Sequence, residues 1–145
     1  MSMKNLIVLA AVSTVIGFSN SAVPSYPQRA QRTVLDGVYT EAQAKRGEAL
    51  VIRVGCADCH GGSLEGGAAE TPSLVGDAFI SGWNGLTLDD LSTKLTTMPP
   101  DNTTKMRPQE YVDIMTLLLR INGYPAGKDE LVANPEVLRQ IKIVP

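Results

Sequence analysis

The chain has 145 residues, with 13 Lys and Arg against 15 Asp and Glu, so its formal net charge is −2. This slightly acidic balance argues against binding to nucleic acid, which requires basic surface to neutralise phosphates. The length fits one small domain, and two cysteines are too few to build a disulfide framework.

The first 22 residues have the layout of a secretory signal peptide. Lys4 supplies a positive charge, residues 6–18 are uncharged and largely apolar, and small residues follow up to Ala22. The apolar stretch is shorter than the roughly 20 residues that span a bilayer, which favours a cleaved signal over an uncleaved anchor. We therefore expect export to a bacterial periplasm, with no membrane span in the mature chain.

The segment that follows combines an arm and a helix. Residues 23–40 contain two prolines and little periodicity, which predicts an extended N-terminal arm. Thr40 is a good N-cap, and Gln43 stands at the capping-box position, so a helix is predicted from about residue 41 to 54. Gly47 costs this helix about 1 kcal/mol relative to alanine. Either it allows a second helix to approach closely, or it is a tolerated surface glycine.

The next five residues, Cys56-Ala57-Asp58-Cys59-His60, have the pattern C-x-x-C-H. Two thiols at this spacing can add to the two vinyl groups of one haem edge, and the next imidazole can bind the iron axially. A thioredoxin-like pair belongs beside a βαβ pattern, a zinc site needs about four ligands, and a disulfide here would close a tiny loop. We therefore predict one haem c, covalently bound through Cys56 and Cys59, with His60 as an iron ligand.

The middle of the chain predicts a loop and a second helix. Residues 61–72 are rich in glycine but lack the G-K-[ST] of a phosphate loop, so we expect them to bend around a haem edge. Thr87 and Asp90 form a capping-box pattern, which predicts the start of a helix. Pro99 and Pro100 end it.

Two further helices are predicted in the last third. Pro108 suits the first position of the longest helix, 108–121, and Asn134 precedes a short final helix at about 135–142. The long helix has an apolar face, formed by Tyr111, Met115, Leu118 and Leu119. Because no strand pattern and no internal repeat are evident, the predicted fold class is all-α.

The second iron ligand must come from another residue type, because His60 is the only histidine. Met115 lies in an apolar helical stripe, where packing is the expected role. Met98 is followed by two prolines, whose rings restrict the backbone and can hold a thioether in place. We predict Met98 as the ligand, with Met106 and an open iron site as alternatives. A thioether opposite imidazole raises the potential and leaves no site for O₂, which favours electron transfer.

Over about residues 34–127, the chain resembles the class I cytochromes c. The matching strings are A-K-R-G-E at 44–48, C-A-D-C-H-G at 56–61, T-P-S-L at 71–74, F-I-S-G-W at 79–83, M-P-P-D-N at 98–102 and Q-E-Y-V-D-I at 109–114. The resemblance implies four to five helices wrapped round one covalently bound haem, within a cytochrome domain at 41–124 and before a C-terminal extension at 125–145.

The same resemblance implies roles for four further residues. Pro72 would offer its carbonyl to the Nδ1–H of His60, and Leu74 would pack on the proximal haem face. Trp83 would point its indole N–H at a haem propionate, with a plain core tryptophan as the alternative. Gly47 would be the point where the first helix crosses the helix at 108–121. Arg107 departs from the family pattern, where a serine often caps that helix.

A narrower resemblance is to the small monohaem cytochromes of periplasmic quinoprotein (PQQ) alcohol dehydrogenases. It is carried by V-L-D-G-V-Y-T at 34–40, M-P-P-D-N at 98–102 and N-G-Y-P-A-G at 122–127. It implies such a dehydrogenase as the electron donor. A terminal oxidase or another cytochrome of the respiratory chain would be the acceptor.

The predicted function is that of a periplasmic one-electron carrier rather than an enzyme. A haem peroxidase would need an open iron and a distal acid–base group, and the chain has no second histidine. The motif is also compatible with a gas-binding sensor that has an open sixth position. It equally fits a cytochrome subunit whose main duty is assembly within a larger dehydrogenase.

Overall fold

The computed structural model of the chain describes residues 31–67, 71–100 and 106–145. The predicted signal peptide, the first part of the predicted arm, and the pair Asp101–Asn102 lie outside the described residues. None of the helices in these ranges is both long enough and apolar enough to cross a membrane.

The described chain is mostly helical, in agreement with the predicted class. Its α-helices are α1 (Glu41–Arg53), α2 (Cys56–His60), α3 (Gly76–Trp83), α4 (Leu88–Leu95), α5 (Pro108–Ile121) and α6 (Pro135–Leu138). Two short strands, β1 (Arg32–Thr33) and β2 (Ile141–Lys142), pair in parallel and bring the two ends of the described chain together. The sequence does not predict this pair, because two-residue strands leave no alternating pattern to read.

The capping signals locate most of the helix starts. The Thr40 hydroxyl accepts a hydrogen bond from the Gln43 N–H at 3.2 Å, and Thr87 and Asp90 form the predicted reciprocal capping box. The bounds predicted for α5 are confirmed. By contrast, the sequence does not predict α3, because Val75 precedes it and no side chain caps its first turn.

The final predicted helix, 135–142, is too long. Helix α6 ends at Leu138, and the chain then turns so that Ile141 and Lys142 can pair with β1. Ile141 and Ile143 are fully buried, and so is Val34 on the segment predicted to be an arm. Both flanking segments therefore contribute to the same core as the helices, because their apolar residues are covered only by packing against it.

The side chain of Gln43 does not complete the predicted capping box. It is fully buried, and its amide nitrogen donates to the Asp113 carboxylate at 3.1 Å and to the Leu131 carbonyl at 2.7 Å. Its amide oxygen accepts from the Leu131 N–H at 2.9 Å. Gln43 thus fastens the C-terminal segment to α1 and α5, since each buried polar group needs such a partner.

The start of α5 is capped from within the helix. The Glu110 carboxylate accepts a hydrogen bond from the Arg107 N–H and another from the Arg53 guanidinium of α1, both at 2.8 Å. These donors stabilise the charged carboxylate and lower the pKa of Glu110 to about 2. Glu110 therefore satisfies the N–H of the N-cap residue Arg107, which is the half of a capping box that does not need a serine.

Helices α1 and α5 make the most extensive helix contact, and they cross at Gly47. A Cβ atom at this position would overlap the Asp113 carbonyl of α5 and would come within 3.0 Å of the Leu117 Cβ. The predicted crossing is confirmed, and the alternative of a surface glycine is wrong. Only the lack of a side chain lets the two backbones approach this closely.

Gly47→Ala is expected to destabilise the protein by about 2 kcal/mol. Overpacking typically costs about 1–3 kcal/mol, and the cost should lie near the upper end here because the Asp113 carbonyl cannot rotate away. The higher helix propensity of alanine offsets about 1 kcal/mol of that cost. Denaturant unfolding of the holoprotein measures the change. Gly62→Ala is the control, because a Cβ there meets no atom within 4 Å. Equal midpoints for Gly47→Ala and the parent would contradict the proposed crossing geometry.

Candidate functional site

A cavity of about 310 Å³ lies among helices α1 to α5 and the loop that follows α2. Its volume falls at the lower end of the roughly 300–1,000 Å³ found for ligand pockets. Most of its lining is apolar and comes from side chains far apart in sequence, including Val51, Val54, Leu64, Phe79, Leu91, Leu95, Ile114 and Leu118. Such a cavity suits a largely apolar ligand.

The structure brings every residue predicted for the site to this cavity. They come from α2, from the loop before α3, from the end of α3 and from the segment after α4: Cys56, Cys59, His60, Pro72, Leu74, Trp83 and Met98. The sequence places them on separate elements, and the fold collects them around one volume.

Helix α2 presents the two cysteines from a single turn. Gly55 has φ of +72°, a left-handed conformation that lets the chain turn directly from α1 into α2. Cys56 and Cys59 are then three residues apart, which places them on one helix face. Both are free thiols, and burial raises the pKa of Cys56. A raised pKa is the opposite of what activates the attacking cysteine of a thioredoxin-like pair.

The ring of His60 is held by the contact that the family resemblance implied. Its Nδ1 lies 2.9 Å from the Pro72 carbonyl oxygen. A carbonyl can only accept, so Nδ1 carries the hydrogen and the neutral ring keeps a free lone pair on Nε2. His60 is thereby prepared as a metal ligand, with a backbone oxygen that fixes its tautomer.

The glycine-rich loop folds back tightly against α2. The Gly66 N–H donates to the His60 carbonyl at 2.9 Å, and a Cβ at Gly67 would overlap the Cys59 carbonyl. Within the described residues 61–67, the loop thus needs glycine in order to pack on the backbone of the C-x-x-C-H turn.

The loop before α3 is anchored by a residue that the sequence identifies only as a helix end. Asn122 donates from its amide nitrogen to the Leu74 carbonyl at 3.0 Å and accepts from the Gly76 N–H at 2.8 Å. Leu74 also donates its N–H to the Leu64 carbonyl at 2.8 Å. These bonds hold Leu74 at the cavity. A single asparagine after a helix carries no signal for such a distant contact.

Trp83 lies at the end of α3, half-buried against Phe79, with ring centroids 6.4 Å apart. Its ring lines the cavity, and within the ranges described its indole N–H has no hydrogen-bond partner. A tryptophan N–H at a cavity normally finds a partner, so this donor is available to a ligand.

Two thioethers reach the cavity. Met98 lies three residues after the end of α4, and Met106 lies two residues before the start of α5. Both line the cavity, and both are half-buried. Met115 is fully buried, which confirms its predicted packing role. The choice of Met98 over Met106 therefore still depends on the two prolines that follow Met98.

The side chains at the cavity fit the haem c that the C-x-x-C-H motif implies. One apolar cavity holds two thiols for covalent attachment, an imidazole with a free Nε2 lone pair, and a thioether, which are the groups that a c-type haem needs. Within the part of the chain that is described, no cluster of three or more His, Cys, Asp or Glu is placed to hold a metal ion. Comparisons with protein families, curated proteins and solved structures gave no match.

Proposed function

We propose that this protein is an exported monohaem cytochrome c that carries single electrons between redox proteins. The observation that carries the proposal is the convergence of the C-x-x-C-H turn and Met98 on one apolar cavity. Cys56 and Cys59 would hold the haem through thioethers, and His60 Nε2 and the Met98 sulfur would be its axial ligands.

When bound, the haem supplies a one-electron ferrous–ferric couple. The protein's own residues set the conditions for it. The Pro72 carbonyl orients the His60 ring and raises its basicity. The apolar lining excludes water, which would otherwise stabilise the more highly charged ferric state. Binding of the iron by both His60 and Met98 would favour electron transfer over binding or turnover of a substrate.

We also propose that the fold is that of a class I cytochrome c. Two features support this proposal: the crossing of α1 and α5 at Gly47, and the carbonyl of Pro72 at the ring of His60. The family resemblance implies both of them from the sequence alone. Neither follows from a generic helical bundle, because each requires a particular residue at a particular point of close approach.

The proposed location is the periplasm, with a quinoprotein alcohol dehydrogenase as donor and a terminal oxidase or another cytochrome as acceptor. The resemblance that suggests this donor includes the strings at 34–40 and 122–127. Those strings contact each other, since the Tyr39 hydroxyl donates to the Tyr124 carbonyl at 2.7 Å and the Gly127 N–H donates to the Tyr39 carbonyl at 2.6 Å. Their role in packing is thus established independently of any partner. Comparing the rates at which candidate dehydrogenases reduce the holoprotein would identify the donor.

The purified, exported protein is expected to retain one haem per chain after denaturation and to titrate as a single reversible one-electron couple. The reduced protein should bind CO only slowly, because CO would have to displace His60 or Met98 from the iron. Haem staining on a denaturing gel, a redox titration and CO mixing measure these properties. Rapid CO binding would favour the gas sensor, and peroxide turnover well above that of free haem would favour an enzyme.

A further inference from the structure

Lys94 lies in the last turn of α4 and lines the cavity. Among the described lining residues, it is the one side chain with a permanent positive charge, and no Asp or Glu lines the cavity. Its aliphatic stem can lie along the apolar wall, while the ammonium stays near the opening. An apolar cavity with one cation at its wall favours a ligand that is apolar over most of its surface and anionic at one edge.

Within residues 31–67, 71–100 and 106–145, no carboxylate forms an ion pair with the Lys94 ammonium. Five arginines in these ranges do have carboxylate partners: Arg46, Arg53, Arg107, Arg120 and Arg139. Lys94 therefore differs from these arginines, because its charge remains available at the cavity.

A second unpartnered donor lies on the same lining. The indole N–H of Trp83 has no partner among the described residues, and it comes from α3, the helix before α4. One cation and one neutral N–H donor are suited to a carboxylate, which offers several lone pairs.

The cysteines and Lys94 belong to different walls of the cavity. Helix α2 packs against α1, whereas α4 packs against α5 and α6. The vinyl groups and the carboxylates of a haem lie on different edges of its ring. Holding the vinyl edge at α2 therefore directs the carboxylate edge toward another wall, and Lys94 is the cation that α4 contributes to the lining.

We propose that Lys94 is a positioning residue that pairs with a haem carboxylate, beside the Trp83 N–H that the family resemblance already implies there. The proposal rests on the proposed function, because it needs a haem attached at Cys56 and Cys59. A positive charge near the haem favours the ferrous state, which carries one positive charge fewer. Removing that charge should shift the ratio of reduced to oxidised protein about three- to tenfold toward oxidised, and tenfold corresponds to about 59 mV.

The test compares three variants of the holoprotein by redox titration and ferric spectrum. Lys94→Gln is expected to lower the midpoint potential, and Lys94→Arg is expected to keep it near that of the parent, since arginine also pairs with carboxylates. Lys45→Gln is the matched control, because Lys45 on α1 is exposed, as Lys94 is, but does not line the cavity. Solvent and salt screen a charge away from the cavity, so the potential of this variant should stay near that of the parent.

Three outcomes would overturn the proposal. The first is a Lys94→Gln variant with full haem content and the potential of the parent. The second is a potential that falls equally in the Lys45→Gln control. The third is a changed ligand-field spectrum in both Lys94→Gln and Lys94→Arg, which would make the lysine an iron ligand. If the parent itself carries no covalent haem, the proposed function fails first, and haem content separates that result from the others.

Discussion

The double variant Cys56→Ser/Cys59→Ser is expected to be exported without covalently bound haem and to lose most of its cooperative folding. A haem that is not covalently attached can dissociate, and the cavity of about 310 Å³ would then be empty. At about 24 cal/mol per Å³, an unfilled cavity of this size costs up to about 7 kcal/mol. That loss is comparable to the whole stability of a small domain, about 5–15 kcal/mol.

Haem staining after denaturation and thermal unfolding followed by circular dichroism measure the two effects. Ala57→Ser is the matched control, since it places a serine in the same turn and leaves both thiols in place. It should retain the haem and the melting temperature of the parent. Covalent haem in the double variant, or a melt equal to that of the parent, would show that these cysteines do not hold a haem that completes the core.

Met98→Ala is expected to lower the midpoint potential by tenths of a volt, within the roughly 0.8 V range that axial ligands cover. Loss of the thioether removes the ligand that favours ferrous iron and opens the sixth position. The ferric protein should lose the sulfur-to-iron charge-transfer band that the family resemblance implies. The reduced protein should then bind CO rapidly.

Met106→Ala is the matched comparison, because both methionines line the cavity and both are half-buried. It should keep the band, the potential and the slow CO binding of the parent. The reverse pattern would assign the ligand to Met106. Unchanged spectra in both single variants would contradict thioether ligation by either residue and would favour an open iron site.

Much of the local structure can be predicted from the sequence, because the patterns that specify it involve residues only a few positions apart. Thr40 and Thr87 mark helix starts through interactions with residues three positions away, and Pro108 does so through its own fixed φ and missing N–H. The C-x-x-C-H spacing of Cys56–His60 is likewise contained within one helical turn. Each of these features is a property of neighbouring residues, so it can be recognised before the fold is known.

Other features depend on contacts between distant segments. The burial of Gln43 against Leu131, the anchoring of Leu74 by Asn122 and the pairing of β1 with β2 join residues that no local pattern connects. Helix α3 is not predicted for a related reason. Its first turn has no side-chain cap, so its formation depends on packing against other segments.

The sequence by itself determined the chemistry that the chain can offer: two thiols and an imidazole in one turn, a single histidine, and a few methionines. Only the tertiary structure decided that these groups share a cavity with Trp83 and Lys94. It also showed that Gly47 is a crossing point rather than a surface residue. The physical reason is that reactive groups and caps are fixed by covalent neighbours, whereas a cavity exists only when helices far apart in sequence pack around it.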